Sequence, residues 1–236
     1  MERVVAIVPA AGRGRRFGAG INKVFCELGG QAILAHTLRS LQSGAPLGVV
    51  EVVVALGPGE ASLFEHLVAP QLESTPPVRL VVGGRDRQES VYRALQAAAA
   101  ADWILVHDGA RPLLSRALLE RCLAGARRWG CVVAALPVAE TIKEVDASGV
   151  VQRTLPREPL YAVQTPQVFP KDLLLAAHER ARAEGFTATD DAALVERLGY
   201  DVRIVPGEVR NIKITRADDL QVASAWLEKD AVGRAG

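Results

Sequence analysis

The chain opens on an unbroken apolar run, Val4 to Pro9, rich in β-branched residues and followed at once by a glycine-rich loop. A strand buried on both faces reads this way, because neither side of its pleat meets water. Similar runs recur at Val49 to Leu56, Val78 to Val82, Trp103 to His107, Cys131 to Val138 and Val202 to Val205. Between and after them, helical patterns cover Ala32 to Gln42, Ala61 to Leu72, Gln88 to Ala100, Ser115 to Trp129, Lys171 to Glu184, Asp190 to Leu198 and Ala217 to Lys229. This alternation predicts an α/β fold, a doubly wound and mostly parallel sheet with helices on both faces.

One stretch breaks the alternation. Thr141 to Val145 and Val150 to Thr154 are β-prone and are joined through Asp146 to Gly149, which predicts a hairpin. With Pro156 and Pro159 behind it, the hairpin reads as a projecting β-arm at about residues 139–160, too small to hold its own core. Such an arm needs a partner for its apolar side, so a homodimer is expected. The remainder reads as one domain over residues 1–236, with the last residues, Ala231 to Gly236, frayed.

Composition narrows the class. Apolar residues make up 49% of the chain and charged ones 23%, enough to bury a sizeable core. The balance of 28 Lys+Arg against 27 Asp+Glu argues against a partner held by overall charge, whether nucleic acid or anionic membrane. Any anion site must therefore be a local cluster. No apolar run is long enough to span a bilayer, the early apolar run is short for a signal peptide and its cluster of cations follows it, and Cys26, Cys122 and Cys131 form no CxxC pair. A cytoplasmic protein is the default expectation.

The local cluster is the first loop. From Val4 to Cys26 the sequence carries Arg13, Arg15, Arg16 and Lys23 and no acid. Gly12 and Gly14 allow backbone N–H groups to approach an anion, and Arg16 and Lys23 supply charge-assisted contacts, a combination that suits a polyphosphate. Two familiar phosphate loops do not fit: Phe17 stands where a dinucleotide fingerprint needs glycine, and Lys23 lies between Asn22 and Val24 instead of within Gly-Lys-Ser/Thr. Most of the other candidate loops also follow a predicted strand, at 83–90, 107–112 and 138 onward. They should converge on one crevice beyond the carboxyl ends of the strands.

The chain resembles the nucleotidyltransferases, and within them the cytidylyltransferases acting on 2-C-methyl-D-erythritol 4-phosphate. The resemblance rests on Pro-Ala-Ala-Gly-x-Gly-x-Arg at 9–16, Lys23, Gly83-Gly84 with Ser90, Val-His-Asp-Gly-Ala-Arg-Pro at 106–112, Thr141, Arg157, Gln-Thr-Pro-Gln at 164–167, Thr189-Asp190 and Asn-Ile-Lys at 211–213. It implies a Rossmann-like nucleotidyltransferase fold and attack by a polyol phosphate on the α-phosphorus of CTP, with Mg²⁺ as the divalent metal. Such a nucleophile is already ionised and needs no general base, which agrees with a sequence that offers no Ser-His-Asp or Cys-His constellation.

The resemblance also implies roles. Arg16 and Lys23 would bind the triphosphate and stabilise the transition state, and Lys213 and Arg157 would position the attacking phosphate, Arg157 coming from this subunit or from a second one. Ala10, Ala11, Gly12, Gly14, Gly83, Gly84 and Ser90 would form the nucleotide pocket. Asp108, Arg111, Thr141, Thr165 and Thr189 would line the substrate, with Asp108 also approaching Mg²⁺ directly or through water. The plain alternative for Asp108 is a turn cap or an ion pair with Arg111.

Strand alternation points His107 and Asp108 to opposite faces, so His107 reads as a core histidine. His36, His66, His178 and the cysteines lack zinc-ligand spacing, and Trp103 and Trp129 read as packing residues. Three positions depart from the family pattern: Asn22 in place of proline, expected to change only loop stiffness, and Arg85 and Arg210 in place of acids, which bear on base and ribose contacts. The rivals are a ribitol 5-phosphate cytidylyltransferase, a nucleotide-sensing protein that keeps the cradle without turnover, and a hydride-transfer enzyme. Phe17 and the lack of a suitably placed acid weigh against the last.

Overall fold

The computed structural model describes residues 2–12 and 21–235. In chain order the elements are β1 (Val4–Pro9), β2 (Glu27–Leu28), β3 (Gln31–Ala32), α1 (Ile33–Gln42), β4 (Val49–Leu56), α2 (Ala61–Leu67), β5 (Val78–Val82), α3 (Arg87–Ala97), β6 (Trp103–Val106), α4 (Arg116–Trp129), β7 (Cys131–Pro137), β8 (Lys143–Val145), β9 (Val151–Thr154), β10 (Tyr161–Pro170), α5 (Lys171–Glu184), α6 (Asp191–Arg197), β11 (Val202–Pro206) and α7 (Ala217–Ala235).

The main sheet runs β11-β7-β10-β6-β1-β4-β5, and β10 is antiparallel to both its neighbours while the other pairs are parallel. Alternation along β1 explains the two layers of helices. Val4, Ala6 and Val8 face a core filled by α1, α2 and α4, whereas Val5 and Ile7 face one filled by α3, α5 and α6. A third cluster, Leu28, Ile33, Ile214 and Ala223, fastens α7 to the short β2–β3 ribbon. Among the described residues no helix is long and apolar enough to cross a membrane.

The departures from the sequence reading have local causes. The helix expected over 61–72 stops at Leu67 and passes into a 3-10 turn, Ala69–Gln71, because Pro70 lacks an N–H and excludes the residue before it from continuing the helix. Asp86, Ser115 and Asp190 are caps, their carboxylate or hydroxyl oxygens accepting from the N–H groups of Glu89, Leu118 and Ala193. The last helix continues to Ala235, past the point where fraying was expected. Strand β10 was absent from the expected elements, yet it fills the middle of the sheet. The arm forms as β8 and β9, with Asp146 Oδ1 accepting from Ser148 N and Val150 N at its turn.

Candidate active site

Strands β1, β5 and β6 run parallel, so the loops that follow them open on the same side of the sheet. They touch there. Gly83 lies so close to the first loop that a Cβ on it would stand 2.5 Å from the Ala11 Cβ and 3.1 Å from the Leu56 carbonyl oxygen, so a side chain would force the two loops apart. A Cβ on Gly109 would be 3.2 Å from that of Ala10, and nothing crowds Gly12. Ser90, itself buried, shapes the second loop: its hydroxyl donates to the Asp86 carbonyl at 2.7 Å and accepts from Gly84 N at 3.0 Å.

Asn22 does more than alter stiffness, which corrects the expectation for that position. Its Nδ2 donates to the Ala10 carbonyl at 2.6 Å and to Glu60 Oε2 at 3.1 Å, and its Oδ1 accepts from Val24 N. Glu60 Oε2 also accepts from Gly57 N at 2.7 Å. A proline could make none of these side-chain bonds. The buried amide thus fastens the 3-10 turn that carries Lys23 to the loop that begins at Ala10.

Asp108 gathers the opposite side. Its side chain is 9% exposed, and its Oδ2 lies 2.9 Å from Lys213 Nζ and 3.5 Å from Arg111 Nε, while its Oδ1 lies 3.2 Å from Arg87 Nε. Burial alone would raise its pKa. The three cations outweigh that effect and hold the carboxyl well below the ordinary aspartate range. The pairing with Arg111, foreseen as the plain alternative, is therefore real, but it is one contact of three.

The register of β10 explains how Thr165 reaches this cluster. Gln167 pairs with Val106 in the antiparallel ladder, so Thr165 falls beyond the end of β6, beside Asp108. Its Oγ1 accepts from Asp108 N at 3.0 Å and donates to His107 Nδ1 at 3.1 Å. His107 Nε2 faces the Arg111 carbonyl at 3.2 Å, and a carbonyl can only accept, so Nε2 carries the proton. His107 is a core histidine as expected, but alternation does not separate it from Asp108: the strand ends at Val106 and both residues are buried. Burial pushes the His107 pKa down to about 4.

Lys213 is delivered by a scaffold built on Gln164 and Asn211, which the sequence reading quoted in motifs without giving them a role. Gln164 clamps the backbone of Glu208, its Nε2 donating to Glu208 O at 2.9 Å and its Oε1 accepting from Glu208 N at 3.2 Å. Asn211 Nδ2 donates to Thr165 O at 2.7 Å and to Gln164 Oε1 at 3.2 Å, and Arg111 Nη1 donates to Asn211 O at 2.7 Å. Ile214 is buried and bonds through its N–H to Ala110 O. With both flanks fixed inward, Lys213 points out to the mouth, 40% exposed.

The structure thus unites Ala10, Ala11, Gly12, Gly83, Gly84 and Ser90 on one side with Asp108, Arg111, Thr165 and Lys213 on the other. Gly14 and Arg16 lie outside the described residues. Thr141 and Arg157 sit on the exposed arm, where Arg157 Nη1 donates to Ala139 O at 3.0 Å, and Thr189 is exposed just ahead of the α6 cap. Arg85 pairs with Glu89 and stands 89% exposed, and Arg210 makes a bidentate pair with Asp230 of α7, so both guanidinium groups are already engaged.

Among the described residues no group of three or more His, Cys, Asp or Glu could hold a metal unaided. Asp108 is one carboxylate beside a cationic mouth. That donor set fits Mg²⁺, which takes few protein ligands and completes its shell with water and substrate phosphate.

Comparison with known proteins finds similar chains over almost the whole length. A family model described as "2-C-methyl-D-erythritol 4-phosphate cytidylyltransferase" matches residues 4–229. A relative of that name from Bacillus mycoides (strain KBAB4) is 42% identical over 221 residues, 94% of this chain and 96% of its own. Another from Pelotomaculum thermopropionicum is 43% identical over 229 residues, 97% of this chain and 95% of its own. The crystal structure of 2-C-methyl-D-erythritol 4-phosphate cytidylyltransferase from Thermus thermophilus superposes with a TM-score of 0.77 at 39% identity, covering 96% of this chain and 98% of that one.

Proposed function

The chain belongs to the 2-C-methyl-D-erythritol 4-phosphate cytidylyltransferase family, and we propose that the crevice between the Ala10–Gly12 loop and Asp108 is where its cytidylyl transfer takes place. The enzyme transfers a cytidylyl group from CTP to 2-C-methyl-D-erythritol 4-phosphate in isoprenoid precursor synthesis. A phosphate oxygen of the alcohol bonds to the α-phosphorus, the bond to the β-phosphate oxygen breaks, and pyrophosphate leaves with that electron pair.

The chain's task is to hold two polyanions in line and to stabilise the charge on a five-coordinate phosphorus, which calls for fixed cations and donors. Lys23, on a turn fastened to Ala10, meets the triphosphate together with Arg16. Lys213 meets the attacking phosphate. Gly83 and Gly84, held by Ser90, offer backbone to the base, and Thr165 acts by fixing the Asp108 loop. Asp108 would hold Mg²⁺, which when bound neutralises triphosphate charge. Arg157 and Thr141 complete the alcohol pocket of a second subunit in a homodimer built on the arm, whose Val145, Val150 and Val151 are more than half exposed in one chain.

The observation that carries these roles is Lys213 Nζ at 2.9 Å from the buried Asp108 in a mouth that Arg111 shares. Incubation with CTP, Mg²⁺ and a panel of polyol phosphates, followed by pyrophosphate release, tests them. Turnover should be confined to the methylerythritol phosphate. Equal turnover of ribitol 5-phosphate would favour that alternative, and none with any polyol would favour a sensor.

A further inference from the structure

Arg87 lies within the 83–90 stretch but has no role in the sequence reading, and it joins the site to the interior. It is the first residue of α3, and its side chain turns inward, 26% exposed. Its Nε lies 3.2 Å from Asp108 Oδ1 and its Nη1 2.6 Å from Asp191 Oδ2. Asp191 opens α6, is 1% exposed, and accepts through Oδ1 from His178 Nε2 of α5 at 3.0 Å. Helices α3 and α6 and the Asp108 loop therefore meet at one guanidinium, and α5 braces it through Asp191.

The two ends of this chain of contacts differ in freedom. A buried carboxylate that loses its cation is left uncompensated in a medium that solvates it poorly, so Asp191 and Arg87 hold each other in place. Lys213, on the opposite oxygen of Asp108, has a flexible stem and an exposed head. In the function proposed above, Lys213 must turn from Asp108 to the phosphate of the alcohol. Were it the principal counter-ion of Asp108, that turn would leave the buried negative charge to be balanced by Mg²⁺ alone.

We propose that Arg87 is a positioning residue, a counter-ion locked by Asp191 that keeps Asp108 compensated and stationary while Lys213 exchanges between Asp108 and the substrate phosphate. This rests on the reading of Lys213 as the lysine that meets the attacking phosphate. Arg111, 3.5 Å from Asp108 Oδ2 and committed through Nη1 to Asn211 O, supplies a weaker share.

The test is calorimetric titration of 2-C-methyl-D-erythritol 4-phosphate onto the enzyme loaded with a non-hydrolysable CTP analogue, for wild type, Arg87→Met, Lys213→Ala and the double variant. Arg87→Met makes Asp108 depend on Lys213, so the polyol phosphate should bind about tenfold more weakly, the worth of one charge-assisted contact. In the Lys213→Ala background the same change should have little further effect, since no lysine remains to be sequestered. Additive losses in the double variant, or unchanged affinity in Arg87→Met, would overturn the proposal. Asp191→Asn keeps Arg87 but loosens its anchor, and carries the test if Arg87→Met does not fold: about a threefold loss that vanishes without Lys213 supports it, and an additive loss overturns it. Failure of the underlying reading is separately visible, because Lys213→Ala alone would then bind the polyol phosphate as tightly as wild type.

Discussion

Lys213 Nζ and Asp108 Oδ2 stand 2.9 Å apart at the mouth of the sheet, the lysine exposed and the carboxylate buried. Replacing Asp108 by Asn leaves Arg87 and Arg111 partly uncompensated and removes the anchor of Lys213. Breaking a buried pair costs about 3–5 kcal/mol, and the exposure of Lys213 lowers the figure expected here to about 2 kcal/mol. A urea titration should show the midpoint falling with an unchanged slope, together with loss of pyrophosphate release.

Asn22 offers an independent handle on the nucleotide side. Asn22→Ala removes two donated hydrogen bonds, one to the buried Ala10 carbonyl, at a cost of about 1–3 kcal/mol. Because that bond also ties the Lys23 turn to the first loop, KM for CTP should rise more than KM for the alcohol. Equal changes in the two constants would contradict this.

His107 makes stability depend on pH. Between about 6.5 and about 4 the unfolded chain binds a proton at this position that the native chain refuses, so stability increases with pH across that window and is lost as the solution is acidified. A single histidine contributes about 1 kcal/mol per pH unit there. His36, whose pKa burial also lowers, adds a component of the same sign. Asp108 acts in the same direction but only below its unfolded value near 3.8. Unfolding free energies of His107→Gln across this range should show a shallower slope than wild type, and an identical slope would count against a neutral native His107.

The arm yields a prediction about assembly. Val145 and Val151, partners across the hairpin, and the adjacent Val150 are 52%, 53% and 58% exposed, apolar groups that a second copy would cover. Val150→Asp should shift the mass seen by light scattering from dimer to monomer and reduce turnover with it, through loss of Arg157 from the neighbouring site. A monomeric wild type with full activity would rule out this arrangement.

The architecture was legible where burial is two-sided. Strands β1 and β4 coincide with the runs read from sequence because apolar residues fill both of their faces, and the lone acid of β4, Glu51, is too isolated to disguise the pattern. Strand β10 escaped because Gln164, Pro166 and Gln167 break the run, and its place between β6 and β7 is a tertiary fact with no local signature. Within the site, Lys213, Asp108 and Arg111 were visible through their motifs. Arg87 was not, since its two carboxylates lie far away along the chain and no spacing connects them. Asn22 was seen but undervalued, because replacement of proline hides the bonds an amide makes.

Fixed positive charge at this crevice is what the proposed chemistry requires, and Lys23 probes it most directly. Pyrophosphate release by Lys23→Ala, with folding verified by circular dichroism, should fall about 100- to 1,000-fold, the cost of removing one preorganised group that stabilises developing charge. Release near the wild-type rate from a folded variant would contradict it.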